Sequence, residues 1–398
     1  MATSCIRREI YLDNASTSCP KPDVVYHAIH AFARSCGASP GRGSYARALA
    51  AEEKISRCRA TVARALGVRD ASRVAFASSS TEALNWALKG TLLLPGDHAV
   101  VTALEHNAVL RPIRAMERTR GIRWSVVRSD EEGFVDPADV EDAIGPSTRV
   151  VCVVHASNVL GTIQPIEEIA LVAHRHGVPL LVDGSQTAGA LPLALEAHGI
   201  DLYAFTGHKS LLGPPGTGGL YVRPGLNLET WKEGGTGSHS EDLDPPEEMP
   251  ARLEAGTPNS WGLAGLLAGA ESLLVEGLSL VHEREARHAE ILANGLRSVD
   301  GVTVYGPRDA ERKVGIVSIG VRRIAPEVVG RLLWERFGIA VRTGLHCSPL
   351  AHKVLGTAVT GGTVRFGIGP FTTDEDIAAA VEAIEEIAVA GRSKAGVR

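Results

Sequence analysis

Short apolar runs alternate with amphipathic helical stretches through the first two-thirds of the chain. The runs RVAFAS (73–78), HAVVTAL (98–104), RWSVVRS (123–129), TRVVCVVHAS (148–157), VPLLVDG (178–184), DLYAFTG (201–207) and GGLYVR (218–223) show little period-two alternation. They are rich in Val, Leu and Ala, as strands buried on both faces are. Between them, TEALNWALKGTLL (81–93), NAVLRPIRAMERTRG (107–121) and PIEEIALVAHRHG (165–177) repeat apolar residues at helical spacing. Alternation of this kind predicts an α/β unit around a mostly parallel sheet. Ligands in such sheets sit beyond the carboxyl ends of the strands.

Past residue 258 the texture changes. Two long helical stretches, NSWGLAGLLAGAESLLVEG and LSLVHEREARHAEILANGLRSV, precede the strands GVTVYG, VGIVSIGV and IAVRTG and a charged closing helix, TDEDIAAAVEAIEEIAVAG. The expected organisation has three parts. Residues 1–20 pack with the smaller unit, 21–258 form the larger one and end in an acidic, turn-rich linker, and 259–398 form an α+β unit.

Composition narrows the class. With 44% hydrophobic and 22% charged residues, global disorder is excluded. Forty-one basic against 46 acidic residues, with no basic block, argue against a nucleic-acid partner. The six cysteines, at 5, 19, 36, 58, 152 and 347, form no CxxC pair and read as reduced thiols. The N-terminus lacks a signal-peptide core, and no uncharged apolar run reaches membrane-spanning length. A cytoplasmic protein without a membrane partner is expected.

The richest stretch is DLYAFTGHKSLLGPPGTGGLYV (201–222). A strand ends in Thr206-Gly-His-Lys209 and runs into a Gly/Pro-rich loop. A partly desolvated lysine loses its proton more easily and suits a Schiff base, although a loop lysine alone is most often a surface cation. Asp183, at the end of LLVD, can pair with a protonated pyridine nitrogen or simply cap a turn. Ser79, Ser80 and Thr81 stand at a strand-to-helix junction that suits a phosphate or an ordinary N-cap. His106 ends another strand, where it can stack on a flat ring or be structural. All of these fall at one end of one inferred sheet, and pyridoxal phosphate accounts for them together.

At this point YLDNAST (11–17), SSSTEALN (78–85), EHNAVLRP (105–112), HASNVLGTIQPI (155–166), VDGSQTAG (182–189), TGHKSLLGPPGTGGLYV (206–222), EAGTPN (254–259) and RTGLHC (342–347) are in view. Together they resemble the class V aminotransferase family, and within it the short-loop cysteine desulfurases and selenocysteine lyases. The resemblance implies the fold-type-I architecture of PLP-dependent transferases, with a mostly parallel seven-stranded sheet and a smaller α+β C-terminal domain. It also implies a homodimer with pyridoxal 5′-phosphate at the subunit interface. Carried over by position, Lys209 is the Schiff-base lysine and proton carrier, Asp183 meets the pyridinium nitrogen and Gln186 the ring hydroxyl. His106 stacks on the ring and serves as acid or base, and Asn158 lies beside ring or substrate. Ser80, Thr81, Thr206 and His208 hold the phosphate, and Thr236 reaches the phosphate of the partner subunit. Arg365 binds the substrate carboxylate, which its planar fork suits, with Arg342 beside it.

Cys347 has three readings. It is the thiol that takes sulfur from substrate, a metal ligand with His346 and His352, or a small packed side chain. Adjacent ligands converge poorly on one ion. A reactive thiol sits exposed and near positive charge, and Arg342, His346 and the turn at Gly344 and Pro349 match that setting. The resembling family places its persulfide cysteine here; this chain departs from its pattern at Leu345, where a second histidine is common. The implied activity converts L-cysteine to L-alanine and hands sulfur to an acceptor protein, as in iron–sulfur cluster assembly. Selenocysteine lyase, cysteine sulfinate desulfinase, aminotransferase and epimerase are the alternatives. Cys152 reads as core.

Overall fold

The computed structural model describes residues 9–41, 43–237 and 241–393. Its strands are β1 (Ile10–Tyr11), β2 (Val74–Ala77), β3 (His98–Thr102), β4 (Arg123–Val127), β5 (Thr148–Val154), β6 (Leu180–Asp183), β7 (Leu202–Thr206), β8 (Gly218–Val222), β9 (Val302–Tyr305), β10 (Ile316–Val321), β11 (Ile339–Ala340), β12 (Arg342–Gly344) and β13 (Thr363–Gly367). The helices are α1 (Asp23–Ser35), α2 (Ala46–Ala65), α3 (Ser80–Gly90), α4 (Asn107–Arg120), α5 (Pro137–Ala143), α6 (Ile166–Arg175), α7 (Ser260–Glu276), α8 (Leu278–Arg297), α9 (Pro326–Leu332), α10 (Pro349–Val354) and α11 (Asp374–Ser393).

A seven-stranded sheet runs in the order β2-β8-β7-β6-β5-β3-β4. Strand β8 is antiparallel to both of its neighbours and the other pairs are parallel. Each of the seven apolar runs read from the sequence is one of these strands. In six of them the hydrophobicity follows from helices on both faces; β4, at the edge, is mostly exposed or half-buried. In β5, Val151 and Val153 pack with residues of α2, α6 and α7, while Val150 and Cys152 pack with α3 and α4. Each such fully buried valine contributes roughly 1.5–3 kcal/mol. Helix α7 lies past the change of texture at residue 258, yet Leu263, Leu266, Leu267, Ala270 and Leu273 belong to the core of the large sheet.

A second, antiparallel sheet runs β12-β13-β10-β9. Its core gathers Val317, Ile319, Val364 and Phe366 with Leu292 and Leu296 of α8 and Ile384 and Ile387 of α11. The stretch IAVRTG, expected as one strand, is two. Ile339 and Ala340 pair in parallel with Ile10 and Tyr11, and Arg342–Gly344 pair with β13. The break at Val341 turns the second piece toward the ends of the large sheet's strands. Residues 9–21 then cross between the two sheets. Asn14 Nδ2 donates to the Gly367 carbonyl (3.0 Å), and Thr17 Oγ1 donates to that of His208 (3.0 Å). Among the described residues no single helix is long and apolar enough to cross a membrane.

Candidate active site

The carboxyl ends of β3, β5, β6 and β7 converge, because parallel strands place their ends along one edge. Asp183 closes β6, buried, and its Oδ1 accepts from the backbone N–H of Ser185 (3.0 Å). Gly184 follows because nothing larger fits: a Cβ there would lie 2.0 Å from Tyr203 Cζ. Tyr203 is fully buried, and its hydroxyl shares a 2.7 Å hydrogen bond with Thr187 Oγ1.

Strand β7 ends at Thr206, and the chain turns through Gly207 and His208 to Lys209. Burial lowers the Lys209 ammonium to about 8, Asp183 opposing and Arg365 and Arg342 adding to the fall. His208 is lowered to about 4 by burial, with Lys209 and Lys21 adding to it. Lys21, which sequence reasoning did not single out, is buried and donates to the His208 carbonyl and to Ser18 Oγ, each at 2.7 Å. It ties the N-terminal segment to the Lys209 loop. Burial lowers it to about 8.

His106 caps α4, its ring Nδ1 accepting from the N–H of Ala108 (3.0 Å). The other ring nitrogen therefore carries the proton of the neutral form. Burial holds its pKa below the ordinary histidine range; Asp183 opposes, and Lys209, Arg342 and Arg111 reinforce. Beside it Glu105 is wholly buried. Its Oε1 accepts from Thr102 Oγ1 (2.7 Å) and from the N–H of Val154 (2.8 Å), joining β3 to β5. Burial pushes this carboxyl up to about 8, against the Thr102 hydrogen bond.

Arg365, on β13, is buried and donates from Nη1 to the Asn158 carbonyl (2.9 Å) and from Nη2 to Ser16 Oγ (2.8 Å) and Asp13 Oδ1 (3.2 Å). Its Nε is buried without a partner. Arg342 is exposed and reaches the same Ser16 Oγ (3.1 Å). The Asn158 side chain faces the cysteine loop: Nδ2 donates to the His346 carbonyl (2.6 Å) and Oδ1 accepts from Ser348 Oγ (2.7 Å). Cys347 is exposed, as a reacting thiol needs.

One expectation about Cys347 is corrected. His346 was to supply positive charge to the thiol. It is buried instead, hydrogen-bonded through Nε2 to Thr363 Oγ1 (3.0 Å), and burial lowers it to about 2, so it is neutral. Cys347 lies near enough to the buried Arg365 to act on the guanidinium. His352 is likewise engaged, through Nδ1 with Thr357 Oγ1 (2.7 Å). Among the described residues no cluster of His, Cys, Asp and Glu could hold a metal ion. Cys152 is core.

The remaining candidates are Gln186, Ser80, Thr81 and Thr236. Gln186 is buried, with Nε2 donating to the Ala15 carbonyl (3.0 Å). Ser80 is half-buried and Thr81 exposed in the first turn of α3, whose N-cap is Ser79. Thr236 lines a separate cavity of about 460 Å³ with Ser78, Trp86 and Glu254.

Residues 10–379 match the family model described as Aminotransferase class-V. The chain belongs to the class-V aminotransferase family. Among its class-V relatives, a probable cysteine desulfurase of Methanothermobacter thermautotrophicus is 37% identical over 390 residues, 97% of this chain and 96% of that one. An apo cysteine desulfurase from Thermococcus onnurineus matches with a TM-score of 0.90 at 31% identity, over 96% of this chain and 95% of that one. The cysteine desulfurase CsdA of Escherichia coli, in an S-sulfonic acid form, matches with a TM-score of 0.86 at 28% identity, over 95% and 94%. The expected α/β architecture of fold type I is therefore the one found.

Pyridoxal 5′-phosphate is the cofactor of class-V proteins, and the residues here fit it. Thr206 Oγ1 and His208 Nδ1 are buried without hydrogen-bond partners beside Lys209, where an anionic oxygen would satisfy them. Asp183 offers a buried carboxylate at the adjacent strand end, and Lys209 an amine that is partly neutral near pH 8.

Proposed function

We propose that this chain removes sulfur from L-cysteine, releasing L-alanine and leaving the sulfur on Cys347 as a persulfide. The observation that carries the proposal is an exposed thiol on a loop anchored to Asn158 and Asn107, at the strand ends that hold Lys209, Asp183 and His106. Full-length similarity to cysteine desulfurases supports it.

Bound here, pyridoxal 5′-phosphate supplies an electron sink that makes the substrate's sulfur open to attack. Lys209 would hold the cofactor through Nζ and carry the proton at the substrate Cα; its lowered pKa suits it to do so near neutrality. Asp183 would hold the pyridine nitrogen, Gln186 the ring hydroxyl and His106 the ring face. Thr206, His208, Ser80 and Thr81 hold the phosphate. Arg365 takes the substrate carboxylate through its unpaired Nε and the Nη2 now on Asp13 and Ser16, with Arg342 and Asn158 alongside. The Cys347 thiolate attacks the substrate sulfur. An S–S bond forms, the C–S bond breaks, and its electron pair stays on Cβ, which takes a proton to give alanine.

The working unit in this reading is a cytoplasmic homodimer in which Thr236 completes the partner's phosphate subsite. An acceptor protein then takes the sulfur, iron–sulfur cluster assembly being one destination. The test compares wild type and Cys347→Ala, both loaded with cofactor, for alanine and sulfide from L-cysteine with dithiothreitol. Equal amounts of both products from wild type, and neither from the variant, are expected. Equal rates from the two proteins overturn the proposal.

A further inference from the structure

The loop between β12 and α10 holds four residues: Leu345, His346, Cys347 and Ser348. Two of them, His346 (φ +47°) and Cys347 (φ +61°), are left-handed without being glycine. Side chains with a Cβ adopt this region at a cost of roughly 1–2 kcal/mol each, so the surroundings must enforce it. Four hydrogen bonds do so. Asn158 Nδ2 donates to the His346 carbonyl (2.6 Å), and Ser348 Oγ donates to Asn158 Oδ1 (2.7 Å). The N–H of Asn107, at the first turn of α4, donates to the Cys347 carbonyl (2.7 Å), and the N–H of Ser348 closes the turn on the Leu345 carbonyl (2.9 Å). The nucleophile is thus gripped on each side by one side-chain amide, and Arg365 Nη1 holds the backbone carbonyl of the same Asn158 (2.9 Å).

Ser348 has a simpler available role that it does not take. It is the residue before α10, where a serine hydroxyl ordinarily accepts from the helix's first N–H groups. Its side chain makes no such cap. The hydroxyl is fully buried and turned back onto Asn158. It thereby fixes which end of the amide faces the loop, since Oδ1 must accept from Ser348 for Nδ2 to point at His346.

We propose that Ser348 is a positioning residue for sulfur transfer, acting through the Asn158 amide to hold Cys347 in the left-handed conformation that presents its thiol. This rests on the desulfurase reading above. Without the hydroxyl, Oδ1 loses its partner, the amide is free to turn, and the loop relaxes toward right-handed backbone with the thiol withdrawn.

The experiment compares the cofactor-loaded wild type, Ser348→Ala, Ser348→Thr and Cys347→Ala. Two reactions are followed: alanine release from L-cysteine with dithiothreitol, and alanine release from L-cysteine sulfinate, whose leaving group departs without an attacking thiol. Ser348→Ala is expected to lower kcat on L-cysteine about tenfold or more, while the sulfinate rate, which feels only the loosened Asn158, falls no more than about threefold. Ser348→Thr, which keeps a hydroxyl, is expected to recover most of the loss. A parallel fall on both substrates makes Ser348 a general support of the fold and overturns the inference. So does an unchanged kcat while Cys347→Ala is inactive on L-cysteine. If Cys347→Ala keeps full activity on L-cysteine, the desulfurase reading itself fails and this inference falls with it.

Discussion

Glu105 offers a perturbation whose size follows from its surroundings. Its carboxyl is wholly buried between β3 and β5, with Oε1 bonded and Oε2 buried without a partner. Burial raises it from 4.5 to about 8. A carboxyl raised in the folded state contributes stability that is fully present below the unfolded value and lost as pH rises to the folded one. At about 1.4 kcal/mol per pH unit, the loss between pH 4.5 and 8 is about 5 kcal/mol. Glu105→Gln keeps the accepting oxygen and the volume but cannot ionise. Its amide NH₂ replaces the unpaired oxygen, a penalty of about 1–3 kcal/mol that does not vary with pH. The observable is therefore a slope: the unfolding free energy of the variant minus that of wild type climbs in the variant's favour between pH 5 and pH 8, then levels. Glu285, also raised to about 8 by burial, is common to both proteins and cancels. Urea unfolding of both holoproteins at half-unit intervals from pH 5 to 9 gives the curve. A difference flat within about 1 kcal/mol over that range refutes the reasoning.

Two other changes follow from named contacts. Arg365→Lys removes the fork that meets a carboxylate's two oxygens. One lost charge-assisted hydrogen bond, about 1.5–3 kcal/mol, raises KM for L-cysteine about 10- to 100-fold; steady-state kinetics showing KM within twofold of wild type contradicts the assignment. Gly184→Ala drives a methyl into Tyr203, 2.0 Å from Cζ and 2.3 Å from Oη. Displacing that ring and its bond to Thr187 destabilises by about 2–4 kcal/mol. Because Asp183 immediately precedes it, cofactor content in purified protein falls as well; full content with unchanged thermal stability contradicts the packing argument.

Burial on both faces makes a strand legible, which is why six of the seven runs of the large sheet were readable from hydrophobicity; the exposed edge strand β4 was readable only by its place in the alternation. Parallel strands then put Asp183, His106 and Lys209 at one edge by topology. What was not readable depends on contacts between distant parts of the chain. Asn158 and Ser348 are 190 positions apart, and nothing local marks that serine as anything but a helix cap. Lys21 reads as a charged residue between prolines until the fold lays it on the His208 carbonyl. His346 shows the converse. Its place beside the cysteine in sequence suggested a cation, but burial against Thr363 removes the charge. IAVRTG looked like one strand because two short pairings with different sheets follow one another after a single residue.

The central claim is that sulfur from L-cysteine comes to rest on Cys347. Its most direct test is the mass of the Cys347-bearing peptide after the holoprotein meets L-cysteine without reductant. The account predicts a gain of about 32 Da, one sulfur atom, on that peptide. It also predicts that dithiothreitol reverses the gain and that the peptides of Cys19 and Cys36 stay unchanged. Alanine formed in stoichiometric amount while the Cys347 peptide keeps its original mass would contradict it.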